Sequence, residues 1–120
     1  MREQVLGSIL DELDGSAADI GASAIISLDG LAVASSLAQD MDGDRVGAMP
    51  AAMLSLGDRT AAELSRGTLE QVMIKGESGY VILIYAGKDA VLTIIARKEA
   101  KLGLIFLDAS RAAKGIAAAL

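Results

Sequence analysis

Asp40, Asp42 and Asp44 stand at alternate positions in the run Asp40-Met41-Asp42-Gly43-Asp44, the spacing with which an EF-hand loop begins to surround calcium. Such a loop also needs a sharp-turn glycine at its sixth position and a bidentate glutamate at its twelfth. Arg45 and Ala51 stand there instead. The run therefore reads as a polar loop, its last carboxylate, Asp44, accepting backbone N–H bonds as the cap of a following helix.

The other reactive groups are equally uncooperative. Histidine and cysteine are absent, which removes the commonest general base, the commonest metal ligand and any thiolate chemistry or disulfide. Ser35, Ser55 and Ser110 have no histidine to activate them and no Ser-x-x-Lys or nucleophile-elbow pattern around them. Gly76, Gly79 and Gly87 do not lead from a strand into a helix, as a phosphate cradle would require, and read as hairpin turns. Arg45, Arg59 and Arg66 are ordinary helix-surface cations, although an arginine finger is the sharper use of such a residue. The inventory points away from an enzyme and implies no metal or cofactor.

Sixteen acidic against eleven basic residues give a net charge of -5, which repels nucleic acid and anionic lipid where no basic patch is concentrated. The N-terminal Met1-Arg2-Glu3-Gln4 leads into no apolar segment of signal-peptide type, and the longest apolar runs are too short to span a bilayer. A cytoplasmic protein with no nucleic acid and no membrane insertion is expected.

The elements come from periodicity. Val5, Ile9 and Leu13, with Leu6 and Leu10, mark a helix from Arg2 to Leu13, stopped by Asp14-Gly15-Ser16. Two apolar stretches, Ala22 to Leu28 and Leu31 to Ser35, flank Asp29-Gly30, the signal of a two-residue hairpin. A second helix is predicted from Asp44 to about Arg66, with Gly67 as its stop. Pro50 argues for a kink there or a later start. Three strands follow, Leu69 to Lys75, Tyr80 to Ala86 and Ala90 to Ala96, then a helix from about Glu99. The last two strands are apolar on both faces and need cover on both sides. One α+β domain over residues 1–120 results, a five-stranded antiparallel sheet with helices on both faces in the order αββαβββα.

The second helix carries two stripes. Val46, Met49, Met53, Leu56, Thr60 and Leu64 form the one expected to face the core. Ala48, Ala51, Ala52, Ser55, Arg59 and Ala62 form another, mostly small, suited to close packing against a partner. The more polar strand, Leu69, Glu70, Gln71, Val72, Met73, Ile74 and Lys75, reads as an edge that could pair antiparallel with the same strand of a second copy. A lysine at Val72 in that seam is expected to weaken such a dimer. The small-residue stripe together with Asp58 would then be the partner-binding surface. A small-ligand sensor, holding a molecule between the layers, is the alternative.

Four segments carry a family likeness: Ser27-Leu28-Asp29-Gly30-Leu31-Ala32-Val33-Ala34-Ser35, Leu54-Ser55-Leu56-Gly57-Asp58-Arg59, Leu69-Glu70-Gln71-Val72 with Gly79-Tyr80, and Ala100-Lys101-Leu102-Gly103-Leu104. In these the chain resembles the Roadblock/light-chain-seven family, and within it the bacterial proteins of MglB type. The resemblance implies the Roadblock, profilin-like fold and a dimer with one continuous ten-stranded sheet. It also implies partnership with a Ras-like small GTPase of MglA type, or with motor and signalling complexes, and no active site of the chain's own. The resemblance further implies a possible GTPase-activating protein, one whose dimer presses on the switch regions so that the GTPase aligns its own catalytic residues, without lending it one.

Overall fold

The computed structural model describes residues 2–16, 20–37 and 43–120. Its elements run α1 (Arg2–Ser16), β1 (Ile20–Ser27), β2 (Ala32–Ser36), α2 (Gly43–Glu63), β3 (Gln71–Gly76), β4 (Gly79–Tyr85), β5 (Ala90–Arg97) and α3 (Leu102–Ala119). The predicted order αββαβββα is the observed one. All five strands join one antiparallel sheet in the spatial order β2-β1-β5-β4-β3.

That order follows from the patterning. β4 and β5 are the two strands apolar on both alternating faces, and together with β1 they fill the three inner positions of the sheet, where both faces are covered. On one face α1 and α3 pack side by side, closing a large core around Leu6, Leu10, Ile25, Ile82, Ile105 and Ile116. On the other α2 lies alone over a smaller cluster of Ala24, Ile26, Leu54, Leu83 and Val91. In α1 it is Leu6, Leu10 and Leu13 that are buried, while Val5 is exposed. Ser23, buried on β1, donates a 2.7 Å hydrogen bond to Asp14 Oδ1 at the end of α1, which satisfies the hydroxyl and ties the helix to the sheet.

The first hairpin turns at Leu28-Asp29-Gly30, with Gly30 at φ 90°. Pairing slips by one residue between Ile25↔Ala34 and Ile26↔Ala32, so Val33 is a bulge on edge strand β2 and hinders further pairing there.

Two expectations for α2 are corrected. Pro50 stands inside a continuous helix that already begins at Gly43, so Asp44 is within the helix and does not precede it as its cap. Asp40, Met41 and Asp42 lie outside the described residues. At the other end the helix stops at Glu63, and Arg66 N–H bonds the Ala61 carbonyl while Ser65 N–H bonds that of Ala62. This is a Schellman closure. Its left-handed residue is Ser65, at φ 58°, with Gly67 at φ 86° following. The stop therefore falls before the glycine that signalled it.

Candidate interaction surface

α2 lies on the sheet through its smallest residues. Gly47 and Leu54 are buried, and Pro50, Ala51, Gly57 and Ala61 are half-buried, a run at three- and four-residue spacing that defines one helix face. Close approach explains the glycines, to backbone at Gly47 and to side chains at Gly57. A methyl group on Gly47 would sit 2.2 Å from the Gly30 carbonyl oxygen, and one on Gly57 would sit 3.0 Å from Val72 Cγ2 and 3.3 Å from Leu69 Cδ2. The N-terminal half of α2 thus rests on the tip of the first hairpin, and its middle rests on β3.

This rotation overturns the expected core stripe. Met49 is 68% exposed, Leu56 59% and Met53 41%, and Leu64 is exposed as well, whereas Leu54, between the two predicted stripes, is only 1% exposed. The apolar row lies on the flank of α2 that faces β3. The small-residue stripe occupies the opposite flank, where the Ala48 backbone approaches Gly30. Ala52, Ser55, Asp58, Arg59 and Ala62 are exposed, as is Ala48, but Ala51 turns toward the sheet.

The edge strand is shorter than expected. β3 begins at Gln71, so Leu69 and Glu70 precede it. β3 is last in the sheet, so among the described residues its outer edge has no partner strand. Gln71, Met73, Ile74 and Lys75 are exposed, whereas Val72 is half-buried and packs with Leu69 into the cluster under α2. A lysine at Val72 would therefore disrupt the packing of the single chain before it could report on a seam. An open strand edge beside an exposed apolar helix row is surface that invites a partner.

On the small-residue flank, Ser55, Asp58, Arg59 and Ala62 line a depression of about 820 Å³ with Ser65, Gly67 and Thr68. Four of the residues expected to bind a partner are thereby brought together. Tyr85, at the end of β4, donates a 3.1 Å hydrogen bond to Asp58 Oδ2. Burial first, then the bond to Asp58 and that residue's negative charge, raise the Tyr85 hydroxyl above its ordinary pKa. Arg59 and Glu63 approach at 3.9 Å with both side chains well exposed, a contact that leaves the guanidinium accessible and adds little stability. Sequence reasoning missed Tyr85 because nothing in its strand pattern marks a bond to a helix 27 residues away.

Among the described residues no group of three or more His, Cys, Asp or Glu could hold a metal ion, and no helix is long and apolar enough to cross a membrane.

An antiparallel sheet with two helices behind it and one across its front defines an α+β domain of the profilin-like class. The chain belongs to the Roadblock/LC7 family, whose domain profile matches residues 7–96. Two uncharacterized proteins of Methanocaldococcus jannaschii are each 41% identical to it over 99 residues, 82% of this chain and 86% of theirs. These relatives are archaeal, whereas the sequence likeness pointed to bacterial proteins. The gliding protein MglB of Thermus thermophilus superimposes with a TM-score of 0.86 at 19% identity, over 98% of this chain and 90% of that one. A structure described as MglB with a tetrameric arrangement gives 0.88 at 20% identity, over 98% and 89%. At these identities the likeness is one of fold. Profilin II of Acanthamoeba castellanii, at 0.63 and 22% identity over 94% and 97%, shares it more loosely. Family membership supports a regulatory or scaffolding role.

Proposed function

We propose that the chain is a non-catalytic, cytoplasmic homodimer that regulates or scaffolds a Ras-like small GTPase of MglA type. The observation that carries this reading is the unpaired edge of β3 running beside the exposed Met49, Met53 and Leu56 of α2. Antiparallel pairing of β3 with its copy would extend the sheet through a two-fold axis and cover both apolar rows at once. The depression at Ser55, Asp58, Arg59 and Ala62 would stay open on the outer flank of each helix, polar and accessible to a partner. The tetrameric arrangement named for an MglB structure agrees with a fold that associates through its own copies.

Two measurements test the reading in turn. Light scattering across a dilution series should return twice the chain mass down to low concentration, and a persistent monomer would remove the shared sheet. Hydrolysis and nucleotide exchange by a Ras-like GTPase should then change at saturating dimer. Binding without either change would leave a scaffold, and no binding would end the GTPase half of the proposal.

A further inference from the structure

The helices behind the sheet are evenly spaced but stop one strand short of its edge. α1 packs over β1 and β2, and α3 over β4 and β5, so each covers two strands and their axes stand two strand spacings apart, roughly 10 Å. Among the described residues no helix packs behind β3 in this way. Register shows which of its side chains lie there, because opposed residues share a face. Gln71, Met73 and Lys75 pair with Ile84, Ile82 and Tyr80, all part of the core between the sheet and the α1–α3 layer. Met73 is 43% exposed, and Gln71 and Lys75 are exposed as well.

α3 borders this bare strip with small side chains. Ser110, Ala113, Lys114 and Ala117 line a depression of about 300 Å³ together with Glu70 and Ile84. In the dimer proposed above, on which this inference rests, the bare strips of two copies meet across the axis. The uncovered strip is then two strands wide, the width that one helix covers elsewhere in the molecule. A helix lying on the axis would stand roughly 10 Å from each α3, within the range of packed helices, roughly 8–10 Å. The floor of this slot is apolar at Met73 and Ile84, while its cations are Lys114 on each wall and Lys75 on the floor. The carboxylates Glu70 and Glu77 lie beyond the two ends of β3.

We infer that the slot receives one amphipathic helix of a partner protein, laid with its apolar stripe on Met73 of both copies and with Glu or Asp on both flanks facing Lys114. A helix has direction and cannot obey a two-fold axis, so one occupant excludes a second. The stoichiometry is one helix to two chains. The depression at Asp58 lies on the α2 side and stays open, so the helix and a GTPase would be held on opposite faces.

A displayed library of helices of about 18 residues, the length of α3, with Ala and Leu on one stripe and the other positions randomised, is the probe. Sequences selected on the dimer should be enriched in Glu and Asp on both flanks. By calorimetry a selected peptide should saturate at one per two chains. Lys114→Glu and Ser110→Glu, at exposed positions of α3, should each weaken that peptide about tenfold or more through like charge, with the dimer mass unchanged in light scattering. Leu107→Ser, exposed elsewhere on α3, should leave binding as it was. No enriched binder, saturation at one per chain, or equal binding by both glutamate variants overturns the docking and leaves the dimer standing. A monomeric chain overturns the dimer instead, and the slot goes with it. Doubling of the dimer mass without peptide, lost in Ser110→Glu, gives the slot to a second dimer and likewise overturns the inference.

Discussion

Gly47 shows how far one missing methyl group can determine a fold. A glycine inside a helix is unfavourable by about 1 kcal/mol relative to alanine, yet at Gly47 alanine would drive a carbon to 2.2 Å from the Gly30 oxygen. Gly47→Ala is therefore expected to destabilise the chain by roughly 1–3 kcal/mol, the range for overpacked contacts. Gly7→Ala in α1, where nothing lies within 4 Å, is expected to stabilise it by about 0.5–1 kcal/mol. Urea denaturation of both variants reads the opposite signs. Tyr85 offers a titration at the same scale. Its raised pKa means that the folded state favours the neutral phenol, so the associated stability is complete below the unfolded pKa and is lost as pH climbs through the folded value. Asp58→Asn should lower the Tyr85 midpoint without restoring it to the ordinary range, because burial, the larger cause, remains. Phenolate absorbance in a Tyr80→Phe background, which leaves one tyrosine, measures it.

At the scale of elements, the legibility of the sequence varied with what each pattern encodes. Asp29-Gly30 marked the place of the first hairpin, but the loop is the three residues Leu28-Asp29-Gly30 closed by Ser27 and Leu31, with a positive φ at Gly30 and not at Asp29, in place of the expected two-residue turn. The two-sided apolar character of β4 and β5 marked interior strands for an equally direct reason. The orientation of α2 was not legible from hydrophobic periodicity, which identifies apolar positions but not the surface that covers them. Met49, Met53 and Leu56 are apolar and face outward, while the sheet side is built from Gly47, Ala51, Leu54, Gly57 and Ala61. The available signal was the two glycines ten residues apart within the helix, Gly47 and Gly57, costly unless close packing demands them. This orientation sets the proper test of the seam. Leu56→Glu, on the exposed row, should weaken the proposed dimer about tenfold or more by placing two carboxylates near the axis. Monomer stability should hardly change. An unaltered dimerisation constant would move the interface elsewhere, and Val72→Lys should instead lower the unfolding midpoint.

For the whole molecule, the two faces of the sheet are unequal in a way that divides the labour of the fold. The α1–α3 side carries the larger core, with sixteen buried residues in its cluster against five under α2, so stability resides mainly behind the sheet. The front, with its single helix, open edge and polar depression, is the side on which the proposed dimer would form. The sequence announced this asymmetry only in part. The two-sided apolar strands told which part of the sheet is covered, but the placement of Tyr85 against Asp58 required strand and helix to be assembled.

The strand order also has a temporal meaning. β3, β4 and β5 are joined by tight turns and can zip together locally, but β1 pairs with β5, Ile20 with Ala96 and Ser27 with Ala90, across a chain separation of roughly 70 residues, a distance that slows closure. On the ribosome, α1 and the first hairpin emerge early and must wait for the final strand before the middle of the sheet exists. The hairpin that cradles α2 through Gly30 is thus among the first pieces made and among the last to be locked.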